Sequence, residues 1–182
     1  MLRWVTSSSL VLLFASPGWA QQGLTQDEAL RVAFPAPATI ERRTAYLGEQ
    51  EIAAARTLAG PDVELTQSVV TYYVGMDHGV PVGAAFFDGH VVRTKAEVVM
   101  VVVNPAGEVS QVEILRFDEP QEYHASERWI DQLKGKKLSP DLSLKGDIIN
   151  LTGASLTSRA LVRATRRVLA LHQVIHPFTA SP

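Results

Sequence analysis

The sequence has no cysteine among its 182 residues. This absence excludes zinc ribbons, cysteine-ligated iron–sulfur clusters, CxxCH haem attachment and thiol chemistry. Charge is nearly balanced, with 17 basic against 19 acidic residues and no basic tract, so nothing points to nucleic acid. A GxGxxG fingerprint is also missing, which argues against an NAD(P)H site within the chain. The 46% apolar content nevertheless predicts a folded domain with a core of its own.

The first twenty residues have the pattern of a secretory signal peptide. Arg3 gives a positive start, the short apolar run 10–15 follows, and small residues precede a cut after Ala20. The run is too short to span a bilayer as a helix. We therefore expect residues 1–20 to be removed and residues 21–182 to form one exported domain, periplasmic or on the extracytoplasmic face of the membrane. The alternative is a disordered cytoplasmic leader, and in either case no membrane span is expected later in the chain.

Capping, breaker and periodicity signals divide the rest of the chain into elements. Thr25 and Glu28 have the spacing of a capping box, so a short helix is expected before Phe34. Three further helices are predicted, over 49–59, 126–133 and about 155–173, and the last has an apolar stripe with arginines on its other faces. Strand composition occurs over 63–74, 82–87, 97–103 and 108–117.

The run 97–103 is continuously apolar, as expected for a strand buried on both faces. The turn 104–107 joins it to the alternating segment 108–117, and the two strands predict a hairpin at the centre of an antiparallel sheet. Strands cluster in the middle of the chain and helices at its ends. The sequence therefore predicts a single α+β domain, with a central antiparallel sheet, flanking helices and a C-terminal helix.

The histidines carry little functional signal. His172 and His176 are four residues apart on the last helix, a spacing that metal ligands use, but no glutamate follows His172 as in a zincin motif. Histidines near a helix C-terminus are more typical of a surface favoured by the helix dipole. The other three, His78, His90 and His124, are predicted to lie in loops, and we expect no metal site.

The most informative segment is 151–158, a turn of small residues that leads directly into the arginine-rich helix. Gly153 permits a sharp turn and close approach of a ligand. Ser155 is expected at or near the N-cap, followed by first-turn amides without helical partners. Such a terminus favours an anion, and phosphate is the natural candidate. The simpler alternative is that Ser155 only caps the helix. A serine-hydrolase interpretation lacks the second glycine of a nucleophile elbow.

The tetrapeptide Thr152-Gly-Ala-Ser155 resembles the Ser/Thr-Gly-Ala-Thr motif of the FMN-binding domain family. That family includes the C subunit of the sodium-pumping NADH:quinone oxidoreductase and the G subunit of the Rnf complex. In it, a flavin transferase uses FAD to attach FMN through a phosphoester to the last residue of the motif, and the domain carries electrons outside the cytoplasm. The resemblance implies that Ser155 is the acceptor and that the cofactor-binding residues include Thr152, Gly153, Ala154, Leu156 and Thr157.

Weaker similarity extends over most of the mature chain, through the opening helix near 24–35 and the segment 118–135. It implies that Glu119, Pro120 and Tyr123 lie in a loop that approaches the flavin ring, and that Trp129 packs near it. Thr94 is expected to reach the flavin phosphate or the ribityl chain. For Trp129 the alternative is an anchor in the core, and for Glu119 a solvated loop acid.

Two positions depart from the family pattern. Ser155 stands where threonine is usual, although both residues are alcohols that need activation. The aspartate usually found six residues before the acceptor is Ile149 here, and the nearest acid is Asp147. FMN held without a covalent bond therefore stays open beside covalent FMN.

Together these features predict an exported FMN-binding electron carrier rather than a stand-alone enzyme. Its expected partners are a flavin transferase and a membrane-bound redox protein or complex. One alternative is an exported module without flavin that holds an anionic ligand or a protein partner at the same helix terminus. Another is a flavin reductase that depends on a separate NAD(P)H-binding partner.

Overall fold

The computed structural model describes residues 23–179. The predicted signal peptide, residues 1–20, lies outside this range and stays a prediction. The elements are, in chain order, α1 (Gln26–Ala33), β1 (Thr39–Tyr46), α2 (Glu49–Ala59), β2 (Val69–Asp77), β3 (Val80–Val91), β4 (Ala96–Val103), β5 (Val109–Phe117), α3 (Glu127–Ile130) and α4 (Ser155–Ile175). This architecture confirms the prediction of a single α+β domain with a long C-terminal helix.

Local signals set the N-terminal helices as predicted. The Thr25 hydroxyl accepts from the Glu28 amide, and the Glu28 carboxylate accepts from the Thr25 amide at 2.8 Å, so the capping box is formed. The second helix, α2, runs to Ala59 and ends at Gly60, whose positive φ of 93° favours glycine. These short-range contacts need no information from the rest of the chain.

The five strands form one antiparallel sheet in the order β1-β2-β3-β4-β5. The hairpin of β4 and β5 therefore lies at one edge, and the prediction that it occupies the centre was wrong. The centre is β3, because three consecutive strands precede β4 and all add to its same side. The first of them, β1, was not predicted, since its charged sequence TIERRTAY lies on the other edge with mostly exposed residues.

Strand β4 is buried on both faces, which confirms the interpretation of its apolar run. Val99, Val101 and Val103 contribute to the main core under α4. Met100 and Val102 point the other way, into a smaller cluster with Leu30 and Phe34 at the end of α1. The alternation of a strand thus supplies two cores from one continuous apolar run.

The predicted strand over 63–74 begins only at Val69. Residues 63–68 form an irregular loop in which the side chains of Val63 and Leu65 are buried. Apolar composition therefore predicted the burial of these side chains correctly, but the prediction of a strand over 63–68 was wrong, because a loop can bury the same apolar residues.

The last helix, α4, is buried over more of its circumference than one stripe would give. Arg166 donates to the carbonyl oxygens of Ala59, Ser139 and Leu142, and Arg167 donates to the carbonyl of Glu64. These arginines therefore tie surrounding loops to the helix instead of lying on a free polar face. Between residues 23 and 179, no helix combines the length and the apolar character needed to cross a membrane.

His172 was expected at the surface, and the structure corrects this. It is 9% exposed and lies edge-on to the rings of Phe86 and Phe178. Neither ring nitrogen has a hydrogen-bond partner within the described residues. Burial, with a smaller contribution from His176, lowers the pKa of His172 to about 4, so the imidazole is neutral at neutral pH.

Candidate functional site

Ser155 is the first residue of α4 and does not cap it. The cap residue is Ala154, which makes no side-chain cap, so Ser155 lies next to the N-cap, within the position that was expected at or near it. The half-buried Ser155 side chain instead accepts a hydrogen bond from Asn150 Nδ2 at 3.1 Å. Because the Ser155 hydroxyl does not cap the helix, it can interact with a ligand at the helix terminus.

The turn before α4 depends on Gly153. Its φ of 84° lies in the left-handed region, where a Cβ is disfavoured. The Ala154 amide closes the turn by donating to the Leu151 carbonyl at 3.1 Å. Thr152 is exposed at the outside of this turn and is not among the residues that line the adjoining cavity.

The first turn of α4 offers unpaired donors. Within residues 23–179 the amides of Ser155, Leu156 and Thr157 have no acceptor, whereas the Ser158 amide bonds to the Ala154 carbonyl. No acidic residue lies in this turn, so nothing offsets the positive end of the helix dipole. The terminus therefore has the chemistry of an anion site.

A cavity of about 250 Å³ adjoins this terminus. Its lining comprises Arg93, Tyr123, Gly153, Ala154, Ser155, Leu156 and Thr157. The Arg93 guanidinium lies 4.9 Å from the centre of the Tyr123 ring. This cation–π contact holds a positive charge in the lining of the same cavity.

Tyr123, which lines the cavity, is hydrogen-bonded to α4. The buried Thr157 hydroxyl donates to the Tyr123 carbonyl at 2.7 Å. Of the predicted cofactor-binding residues, Gly153, Ala154, Ser155, Leu156 and Thr157 are thus brought together around one cavity. Arg93 and Tyr123 complete it, although no sequence motif distinguishes Arg93 from any other loop arginine.

Glu119 does not line the cavity but binds the loop that carries Arg93. Its buried carboxylate accepts from the backbone amides of Thr94, Lys95 and Arg93, at 2.7, 2.9 and 3.1 Å. The bond from Thr94, followed by those from Lys95 and Arg93, holds the pKa of Glu119 below its usual range in spite of desolvation. This clamp fixes the loop that carries Arg93.

The other predicted contacts lie outside the cavity lining. Thr94 is exposed, with its amide bound to Glu119, and Pro120 is exposed at the start of the short turn Gln121–Tyr123. In the structure neither side chain borders the cavity, and Glu119 is an internal clamp rather than a solvated acid. Of the residues that similarity placed in these two loops, Tyr123 lines the cavity, whereas Thr94, Glu119 and Pro120 do not.

Trp129 is an anchor in the core, as its alternative interpretation held. It is 5% exposed, and its Nε1 donates to the Ile149 carbonyl at 2.6 Å. The Ile149 amide donates to Gln132 Oε1 at 2.9 Å, so both backbone groups of Ile149 are held. Trp129 therefore fixes the approach to the motif and does not line the cavity.

The acid expected before the motif has no counterpart beside Ser155. The Ile149 side chain is 76% exposed, and Asp147 pairs with Lys136 at 3.0 Å. The polar group that does reach Ser155 is Asn150. No sequence pattern singled out this residue, because its contact exists only once the turn is folded.

A larger groove of about 650 Å³ continues from the cavity and shares Leu156 with it. Arg159 and Arg163 of α4 line one side, and the end of β3 lines the other. His90 lies there, within β3 rather than in a loop as predicted, and contacts Asp88 at 2.9 Å and Glu97 at 2.7 Å. Burial opposes its protonation, but the two carboxylates outweigh this and raise the pKa of His90 to about 9.

The residues present fit the phosphate end of a flavin mononucleotide. Three unpaired amides, one arginine and the Ser155 hydroxyl converge on a cavity that is smaller than the ~300–1,000 Å³ of typical ligand pockets. The remainder of such a ligand has the exposed Leu156 side chain, the Tyr123 ring and the adjoining groove as neighbouring surfaces. Anchoring of the phosphate is therefore compatible with a larger ligand that extends outward.

Comparison with known proteins gives one match. Residues 95–170 match the family model described as FMN-binding domain, while no curated protein and no solved structure matches the chain. The matched range starts just before β4, although β1 to β3 belong to the same sheet, so the wider domain boundary of 21–182 stays a prediction. The match includes the turn Thr152–Ser155, Glu119 and Trp129, and it makes FMN the supported ligand. Over residues 95–170 the chain is therefore similar to the FMN-binding domain family.

Proposed function

We propose that this chain is an exported electron carrier in which Ser155 holds FMN through a phosphoester on its Oγ. The observation that supports the proposal most directly is the state of this hydroxyl. It is free of any capping role, it lies in the wall of the cavity, and it adjoins three unpaired amides. An alcohol in that place is next to the position that a phosphate would take.

Charge favours a phosphate there. The dipole of the 21-residue helix α4 and the Arg93 guanidinium act on the same small volume. Each charge–dipole interaction of this kind contributes about 0.3–1 kcal/mol at an exposed terminus. Arginine adds directional donors for phosphate oxygens. Non-covalent capture of the phosphate is thus modest, and a covalent bond would make retention permanent.

When bound, FMN supplies one- and two-electron redox chemistry. The protein supplies the anchor at Ser155 and the apolar surfaces of Leu156 and Tyr123 beside the cavity. Permanent attachment suits an exported carrier, because no cytoplasmic flavin pool would refill an empty site. We propose a membrane-bound redox protein or complex as the electron donor or acceptor, with a second acceptor outside the cytoplasm.

Attachment would require a flavin transferase, with this chain as its protein substrate. The test is to incubate the full chain with a flavin transferase and FAD and to measure the intact mass and the in-gel flavin fluorescence after denaturation. We expect a mass gain of one FMN less water, lost in Ser155→Ala and kept in Ser155→Thr. Ser68→Ala removes an exposed hydroxyl that is not part of the cavity lining and is expected to label like the wild type. Labelling that persists in Ser155→Ala would contradict the proposal.

Export is tested separately by the mass of the chain purified from the cell envelope. Cleavage after Ala20 predicts a mature chain that begins at Gln21. A full-length mass found only in the cytoplasmic fraction would contradict export without bearing on Ser155.

A second candidate function is an anion-binding module without flavin. The same free amides and Arg93 favour it, since they recognise a phosphate whatever it is joined to. The two functions predict different ligands and a different visible absorbance of the protein, since only a flavoprotein is yellow. A protein that stays colourless with FAD and the transferase, and that binds inorganic phosphate in a manner sensitive to Arg93→Ala, would favour the second.

A further inference from the structure

Asn150 joins two serine side chains of α4. Its Nδ2 donates to Ser155 Oγ at 3.1 Å, and its Oδ1 accepts from Ser158 Oγ at 2.8 Å. Ser158 is fully buried and Ser155 is half-buried, so the amide reaches from the core to the wall of the cavity. Both ends of one planar group are thus occupied, which leaves it a single orientation.

The backbone that carries Asn150 is also held. The residue before it, Ile149, has its carbonyl bound by Trp129 Nε1 and its amide bound to Gln132 Oε1. Trp129 is buried in the main core. A continuous series of contacts therefore runs from the core through Trp129 and Ile149 to Asn150, and from there to the Ser155 hydroxyl.

We propose that Asn150 is a positioning residue for flavin attachment, which holds the Ser155 Oγ in one rotamer at the cavity wall. This inference rests on the proposed function of Ser155. No acid close before the motif competes for the role, since Asp147 is paired with Lys136 and position 149 is an exposed isoleucine.

The step that this arrangement serves is a phosphoryl transfer. Ser155 Oγ forms a bond to the phosphorus of the FMN half of FAD, the pyrophosphate bond to the AMP half breaks, and AMP leaves with the electron pair. The serine proton passes to a base of the transferase. Because Asn150 donates to Oγ and does not accept from it, the hydroxyl proton stays free for that base. A serine left to rotate among its rotamers would present the oxygen in the attacking geometry for only part of the time.

The test measures the initial rate of FMN attachment by intact mass, with the full chain, a flavin transferase and FAD. Asn150→Ala removes the contact and should slow attachment about tenfold, the effect of losing one hydrogen bond of ~1.4 kcal/mol. Asn150→Asp should stay slower than the wild type, because a carboxylate accepts the Ser155 hydroxyl proton that the amide of Asn150 leaves free for the transferase base. Gln50→Ala removes an exposed amide on α2 and should label at the wild-type rate.

A second variant leaves Asn150 in place. Ser158→Ala frees the Oδ1 end of the amide, so the amide can turn and attachment should slow, although less than in Asn150→Ala. Thermal unfolding of each variant shows whether the fold is kept. Wild-type rates in both Asn150→Ala and Ser158→Ala would overturn the positioning role, and a wild-type rate in Asn150→Asp would overturn the importance of donation to Oγ. A wild-type chain that gains no flavin mass would instead overturn the proposed function itself.

Discussion

The buried His172 makes the stability of this protein depend on acid pH, and His172→Phe should remove that dependence. In the folded chain the pKa of His172 is lowered to about 4 by burial, and the charge of His176 adds to this. In an unfolded chain the pKa of histidine is about 6.5. The unfolded state therefore binds this proton at a higher pH than the folded state, and the free energy of unfolding falls as pH drops below 6.5.

The size of the effect follows from the two pKa values. Between pH 7 and pH 5 this one group should lower the free energy of unfolding by about 2 kcal/mol. Phenylalanine keeps the edge-on contacts with Phe86 and Phe178, and a neighbouring cavity of about 570 Å³ gives the larger ring space. It carries no proton, so the variant should lose about 2 kcal/mol less than the wild type over this range.

The assay is urea unfolding of the wild type and His172→Phe at pH 7, 6 and 5. Comparing the pH dependence cancels any packing change that affects both pH values equally, and it cancels the acids common to both proteins. His124→Gln removes an exposed histidine and provides the control. Parallel curves for the wild type and His172→Phe would refute the reasoning, since they would mean that His172 takes up its proton equally well in the folded state.

Three other substitutions test separate parts of the structure. His90, whose pKa is raised to about 9 by its two carboxylate partners, stabilises the fold fully below pH 6.5, and this contribution should disappear as pH rises through 9. Urea unfolding of His90→Gln at pH 6.5 and 9.5 should therefore show a smaller alkaline loss than in the wild type, and an equal loss would contradict this. Trp129→Phe removes the hydrogen bond to the Ile149 carbonyl and should lower the free energy of unfolding by at least ~1 kcal/mol, measured by thermal unfolding. Thr157→Val leaves the Tyr123 carbonyl without its donor and should lower the free energy of unfolding by about 1–2 kcal/mol. It should also reduce FMN attachment measured by mass, and unchanged attachment would show that the position of Tyr123 does not matter for the site.

Parts of the site could be predicted because they depend on neighbours in the chain. Gly153 is needed where φ is positive, and the free amides of the next turn follow from helix geometry alone. The same holds for the capping box at Thr25 and for the doubly buried strand β4. Each of these features is determined by a window of a few residues.

Other parts could not be predicted because distant segments decide them. Arg93 becomes part of the site only because Glu119, 26 residues later, binds the amides of its loop. Glu119 was expected near the ring and Trp129 near the flavin. In the structure Glu119 binds the backbone amides of the loop that carries Arg93, and Trp129 lies in the core and binds the Ile149 carbonyl. Nothing in the sequence near either residue distinguishes these roles, since both are decided by what packs against them.

The sequence by itself determined the class of the fold, the long C-terminal helix and the small-residue turn that resembles the family motif, because these depend on local periodicity and spacing. Only the tertiary structure decided that β5 is an edge strand, that His172 is buried and neutral, and that Asn150 reaches the Ser155 hydroxyl. Those outcomes depend on which surfaces pack together when the chain folds. The free energy of that packing comes from contacts between residues far apart in sequence, which no short window contains.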